Sequence, residues 1–381
     1  MKNIISKNVL FCLLISSMMF GQNRNVSFIH GINASESTWS SVSSVLSNDY
    51  QITPSNIPYS SNNTIPDIAN NYVQNIPLNS VVVAHSMGGI VSREIVRTNG
   101  TSRVSALITT GTPNYGAPIV DMVNNNLPIL LTMWIDDLAR GPSALWGWSY
   151  GYNLAESLIG MGLFLSANIL IDNYSGVDVL AANDLSPGSS FMDTLNSNYS
   201  NTMPNAHYVI YGNEDWNSHW RLGDSFAENG EENGIGINLN NGMSITYWIY
   251  GFVCSRIADY WWDLYLDYQN FNYYYEFLYW NWVSHEFYWG QYSLTYLQQE
   301  QWDMYVVGAI TNNPDGDGYL WWVNDGVVPA WSQIPIFHET PDRVKEAQHA
   351  NHVEEHSTHE DAIRAIRDAF EEEDINIPAQ P

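Results

Sequence analysis

Four consecutive apolar residues, Val81-Val82-Val83-Ala84, run straight into His85-Ser86-Met87-Gly88-Gly89, and a helical pattern from Ile90 to Arg97 follows at once. An unbroken apolar run predicts a strand covered on both faces, the condition of a parallel sheet flanked by helices. The same pulse recurs nearby. Val26–Ile29 predicts a short buried strand, Ser37–Leu46 and Pro66–Ile76 predict helices, and Val104–Thr109 predicts a further strand. Residues 50–63, with Pro54 and Pro58, predict a strand and a loop. Strand and helix alternating at this pace specify an α/β chain with a mostly parallel central sheet.

Beyond Pro118 the alternation stops. Residues 119–200 and 216–302 are expected to form two large, mainly helical cap insertions, with Tyr208–Tyr211 returning to the sheet between them and Tyr305–Ile310 after them. Within the first, residues 127–135 and 157–171 carry Leu, Ile, Met and Phe at helical recurrence, which suits either a buried cap or a lid that opens at a lipid surface. Within the second, residues 229–242 are rich in Gly and Asn and predict a loop. From 247 to 302 the chain is crowded with Trp and Tyr, a composition that fits a substrate cleft, a packed helical core or a stacking platform. Thr358 opens a last helix at capping-box spacing from Asp361, with Ile363, Ile366 and Phe370 on one face and an acidic, fraying tail behind.

The chemistry gathers at the ends of the predicted strands. A serine held in a tight strand-to-helix turn needs small residues two before and two after it, and Ala84 and Gly88 flank Ser86 in that way. His30-Gly31-Ile32 ends the first strand, which offers the backbone N–H of Ile32, together with that of Met87, as donors to an oxyanion. A proton relay needs a base and an acid further along. His349, His352, His356 and His359 crowd the loop before the last helix, and His352 lies 27 residues after Asp325 in the turn Asn324-Asp325-Gly326. Chain order and strand context favour Asp325 over Asp215, Asp315 and Asp317, and His352 over its neighbours. The turn Asn312–Gly318, with Asp315 and Asp317, has oxygen ligands at alternate positions but lacks the rest of a calcium loop.

Phe28-Ile29-His30-Gly31, Ala84–Gly89, Gly111-Thr112-Pro113-Asn114-Tyr115-Gly116-Ala117-Pro118, Asn324–Pro329 and Asn351-His352-Val353-Glu354 together resemble bacterial triacylglycerol lipases and related GPI-inositol-deacylase-like hydrolases. The resemblance covers the sheet core and neither insertion. It implies an α/β-hydrolase fold, Ser86 as nucleophile, His352 as base and Asp325 as its acid, with no required cofactor. It also implies a calcium near the histidine loop with an acid two residues after the histidine, where Glu354 stands. The later amide ligand is missing, because Thr358 occupies its place.

Lys2 and Lys7 precede the apolar run Val9–Ile15, and Gly21 and Gln22 follow. This is the pattern of a secretory signal peptide over residues 1–21, too short for a span of ~20 apolar residues. The hydrolase domain is then 22–381, outside the cytoplasm, extracellular or periplasmic. Cleavage removes Cys12 and leaves Cys254 alone, so no internal disulfide forms. Loss of the two leader lysines takes the net charge of −27 to −29, with Lys345 as the last lysine. Such a surface excludes nucleic acid as a partner and disfavours anionic membranes. The expectation is a secreted lipase or esterase acting on a lipid or other hydrophobic ester. An acyltransferase or amidase on the same residues, and a binding module working through its aromatic surface, stand as alternatives.

Overall fold

The computed structural model describes residues 23–121, 127–146, 180–214, 218–228, 235–308, 323–335 and 343–380. The leader, residues 157–171, Asp215, Asp315 and Asp317 lie outside the described residues.

Six parallel strands form the centre in the order β2-β1-β3-β4-β5-β6. They are β1 (Arg24–Ile29), β2 (Ile52–Ile57), β3 (Ser80–His85), β4 (Val104–Thr110), β5 (Ala206–Asn213) and β6 (Val344–Gln348). β3 sits between β1 and β4 and every residue in it is buried, as its apolar run demands. The period of two splits the sheet's side chains between two cores. Val81 and Val83 join Val26, Phe28 and Trp39 on one face, whereas Val82 and Ala84 join Ile29, Ile90 and Val91 on the other.

Helices cover both faces. α1 (Ser40–Asp49) and the last helix share the first core, while α2 (Ile65–Tyr72) and α3 (Met87–Asn99) pack on the second. Thr64 caps α2, accepting from the Asp67 N–H, and Pro66 occupies the first turn, where a missing N–H does no harm. The further helices are α4 (Leu127–Trp146), α5 (Leu180–Leu185), α6 (Ser190–Asn196), α7 (Ser218–Glu228), α8 (Ile235–Tyr268), α9 (Phe271–Tyr292), α10 (Gln298–Val307), α11 (Ala330–Gln333) and α12 (Glu360–Glu371).

Four local expectations are corrected. Tyr305 is helical rather than in a strand: a π-helical turn at Ser293–Leu297 joins α9 to α10, which buries Trp302, Val306 and Val307 on one face. The Gly/Asn-rich stretch 229–242 is not all loop, because α8 begins at Ile235 and buries Ile237 and Asn240. The last helix starts at Glu360 with His359, not Thr358, as its cap residue. The tail after Phe370 is tied down: Ile375 and Ile377 are buried, and the Gln51 N–H donates to the Pro378 carbonyl at 2.8 Å.

Candidate active site

Ser86 lies at the turn between β3 and α3 with φ 53° and ψ −128°, a backbone conformation that a side-chain-bearing residue holds only under constraint. The constraints are visible. A Cβ at Gly88 would sit 2.5 Å from the His30 carbonyl oxygen and 2.7 Å from that of Ile29, and one at Gly31 would sit 2.9 Å from the Ser86 Cβ. The Ser86 N–H donates to the Thr110 carbonyl at 2.8 Å, fixing the turn against β4. Small residues therefore let β1, β3 and α3 crowd together while the serine side chain projects from the sheet edge.

The structure brings Ser86, His352 and Asp325 into one hydrogen-bonded line. His352 Nε2 lies 2.9 Å from Ser86 Oγ, and Nδ1 lies 2.7 Å from Asp325 Oδ2. His352 enters on the loop after β6, and its own N–H donates to the Asp325 carbonyl at 2.8 Å. Asp325 is fully buried, and donors converge on it. Val327 and Val328 N–H groups donate to Oδ1 at 2.8 and 2.6 Å, and Gln333 Nε2 donates to Oδ2 at 3.0 Å. A buried carboxylate so supplied is compensated for its lost water and cannot rotate freely.

The two backbone N–H groups expected to face an oxyanion, those of Met87 and Ile32, both lie beside Ser86. Met87 is the first residue of α3, where N–H groups have no acceptor within the helix and the helix dipole favours negative charge. Ile32 lies in the wall of the same cavity, on the loop after β1. That loop is stiffened by Tyr59, which donates from its hydroxyl to the His30 carbonyl and stacks on the His30 ring at 4.0 Å.

The other histidines take separate places. His356 packs edge-on against His85, with ring centroids 4.3 Å apart, and burial pushes it down to about 3. His349 holds a positive φ of 58° and gives its carbonyl to Arg221 at 3.1 Å. His359 caps α12. Glu354, where the resemblance placed a calcium ligand, instead accepts from Arg221 Nη2 at 2.9 Å on both oxygens, and from the Asn351 N–H.

Glu355 went unnoticed in the sequence, although its spacing of three after His352 was there to be read. Its carboxyl is fully buried, 3.7 Å from His352 Nδ1 and 3.9 Å from His85 Nε2. Burial, then the charge of Asp325, drives it well above the usual carboxylate range. The shift favours the protonated form of this carboxyl beside His352. Burial likewise holds His85 well below its ordinary range, with His356 and His352 adding to the effect. Among the described residues His85, His352 and Glu355 are the group close enough to share a metal ion, within 4.8 Å. An ion there would take Nδ1 from Asp325, so the arrangement suits proton relay better than a resident metal.

A cavity of about 590 Å³ opens onto Ser86. Its lining combines apolar Ala117, Ile119, Val120, Leu185, Val327 and Val328 with hydroxyls from Ser37, Thr38, Ser41, Ser357 and Thr358, and includes no Lys or Arg. A parallel sheet with a serine elbow after its central strand and a histidine loop after its last decides the architecture. The chain has the α/β-hydrolase fold. Residues 56–129, which include the elbow, match a family described as a PGAP1-like alpha/beta domain. No curated protein matches the chain. Among solved structures it is similar to a lipase from Bacillus licheniformis, at 18% identity and a TM-score of 0.33 over 52% of this chain and 69% of that one. A phospholipase from Legionella pneumophila is 17% identical with a TM-score of 0.34, over 55% of this chain and 43% of its own length. An esterase from Rhodococcus is 16% identical with a TM-score of 0.28, over 51% and 75%. The chain thus spans less than half of the phospholipase.

Proposed function

We propose that this α/β-hydrolase is a secreted serine esterase or lipase that cleaves carboxylic esters of lipid-like substrates through an acyl-enzyme. The observation that carries the reading is the line from Ser86 Oγ through His352 to Asp325, with contacts of 2.9 and 2.7 Å. His352 Nε2 takes the hydroxyl proton as Ser86 Oγ attacks the ester carbonyl. The oxyanion is held by the Ile32 and Met87 N–H groups. Collapse breaks the ester C–O bond, and the proton on Nε2 passes to the leaving alcohol. Water then attacks the acyl-serine and gives a proton to Nε2, which passes it to Ser86 Oγ as the acyl C–Oγ bond breaks and the acid leaves. Asp325 holds the imidazole in the tautomer that presents a free Nε2 lone pair and stabilises the cation that forms.

The mixed lining of the cavity, apolar side chains and hydroxyls with no Lys or Arg, supports a substrate with an apolar acyl part and a neutral polar part. Arg221 on Glu354 argues against calcium at that residue. A calcium ion at Asp315 and Asp317 is a separate proposal, read by adding a chelator. Secretion rests on the leader, and N-terminal sequencing of exported protein tests it.

The deciding experiment is hydrolysis of nitrophenyl esters from short to long acyl chains, beside labelling by a fluorophosphonate. Wild-type protein is expected to turn over esters and take the label at Ser86, and Ser86→Ala to do neither while staying folded. Full turnover in Ser86→Ala removes the proposal. An unlabelled Ser86 with no turnover favours the binding module, and faster product formation with an added alcohol or amine favours acyl transfer.

A further inference from the structure

Among the described residues a large exposed apolar surface lies on α8 and α9, neither of which lines the Ser86 cavity. These helices form an antiparallel hairpin whose tip is Gln269 and Asn270, with Asn270 capping α9. Its base is fastened to α4. Tyr279 donates to the Ala144 carbonyl at 3.0 Å, Trp289 to Asp137 at 2.8 Å, and Arg140 pairs with Glu286 at 2.6 Å. Toward the tip the described contacts are between the two helices themselves, an aromatic ladder of Trp262–Phe277, Tyr265–Tyr274 and Trp261–Tyr273 with centroids 4.9, 5.3 and 5.7 Å apart.

Along its length the hairpin is wet and apolar at once. Between Ile245 and Tyr296 the hairpin and the π-helical turn after it expose 18 large apolar side chains, reaching 70% for Tyr268 and 66% for Phe271 and Tyr275. On α8 they spread over roughly two-thirds of the circumference at about 100° per residue. A protein partner or a second copy offers one complementary patch to one face and leaves the rest exposed. A lipid interface wraps all of it. The residue types agree, since 11 of the 18 are Tyr or Trp, whose ring is apolar and whose hydroxyl or N–H stays wet, as at the headgroup level of bilayers. No helix among the described residues is long and apolar enough to cross a membrane.

Charge selects the lipid. From 235 to 296 there is no lysine, and the one arginine, Arg256, pairs with Asp259 at 2.8 Å. Asp263, Asp267 and Glu276 are exposed beside the aromatic tip. Anions interleaved with π faces are complementary to a quaternary ammonium group and repelled by anionic headgroups. We infer that the α8–α9 hairpin docks the protein on a phosphocholine lipid surface, with the aromatic tip in the headgroup layer and its carboxylates toward the ammonium groups. The docking is independent of the chemistry at Ser86.

The test is co-sedimentation of the full chain carrying Ser86→Ala with dioleoylphosphatidylcholine vesicles or with phosphatidylglycerol vesicles. Binding to phosphatidylcholine in preference to phosphatidylglycerol is expected. The triple variant Tyr268→Ser, Phe271→Ser, Tyr275→Ser should lower the partition coefficient on the order of tenfold or more. The same triple in a Ser86-intact chain should keep wild-type circular dichroism and wild-type turnover of a soluble short-chain ester. Asp263→Asn, Asp267→Asn, Glu276→Gln should keep vesicle binding and lose the preference between lipids. Absence of binding to phosphatidylcholine, equal binding by the aromatic triple, or a preference unchanged by the amide triple overturns the inference. So does a dimer in sedimentation equilibrium that the aromatic triple dissolves, which would assign the surface to a second copy.

Discussion

Arg221 offers the sharpest test of how the histidine loop is held. It sits on α7, 133 positions from Glu354 in the histidine loop. Its guanidinium pairs with Glu214 at the end of β5 and with Glu354 in the histidine loop, and donates to the His349 carbonyl. The Arg221 side chain is 16% exposed, and the carboxylates are 1% and 0% exposed. Arg221→Met removes a cation that faces two buried anions, and breaking a buried pair from one side costs about 3–5 kcal/mol. The loss should depend on pH. Burial already raises the Glu354 carboxyl, with Arg221 opposing, so removing Arg221 raises it further. A carboxyl raised in the folded state binds its proton more tightly there than in the unfolded chain. Its favourable contribution is therefore present below the unfolded value and lost as pH rises through the folded one. Arg221→Met should be penalised more at about pH 8 than at about pH 5.5 in urea unfolding. Turnover should fall as well, since a displacement of about 1 Å at His352 costs on the order of 100-fold. Adding Glu214→Gln and Glu354→Gln should restore much of the stability, because amides need no cation. A loss below about 1 kcal/mol, or an equal loss at both pH values, would refute the reasoning.

Three further outcomes follow from the geometry. Asp325→Asn should lower kcat for a nitrophenyl ester by about 10⁴, because an amide donating to Nδ1 puts the imidazole proton on Nε2, facing Ser86. Gly88→Ala should cost about 1–3 kcal/mol or more, read as Tm, and slow fluorophosphonate labelling, because the new Cβ meets backbone oxygens that have no room to withdraw. His219 is buried and its pKa is lowered to about 4 by that burial. Between the ordinary value and that one the unfolded chain holds a proton the folded chain lacks, so stability is lost as pH falls. His219→Gln should flatten the wild-type slope there by at most about 1.4 kcal/mol per pH unit, measured by urea unfolding.

What could be read from the sequence, and what could not, divides by the range of the forces. Ala84 and Gly88 betray the Ser86 turn because its requirement is steric and local: backbone segments must approach, and only small side chains permit it. The apolar strands were legible for the same reason, since burial on both faces leaves no polar position to confuse. β6 was not, because Val344–Gln348 lies at the sheet edge, half wet, and reads as a charged loop. Tyr305 misled because aromatic, β-branched residues suit a strand locally, whereas Trp302, Val306 and Val307 bury one face of a helix continued from α9. Arg221 and Glu354 are 133 positions apart, and no local pattern announces a pair made by folding. The aromatic stretch shows the limit most plainly. Its composition was equally good as core, cleft or platform, and only the folded placement leaves Tyr268, Phe271 and Tyr275 at the exposed tip of the α8–α9 hairpin. Exposure is a property of which elements stop short of one another. The Ser86 turn was thus legible from local rules, while the residues that hold the His352 loop and those that offer a surface to a partner were set by tertiary placement.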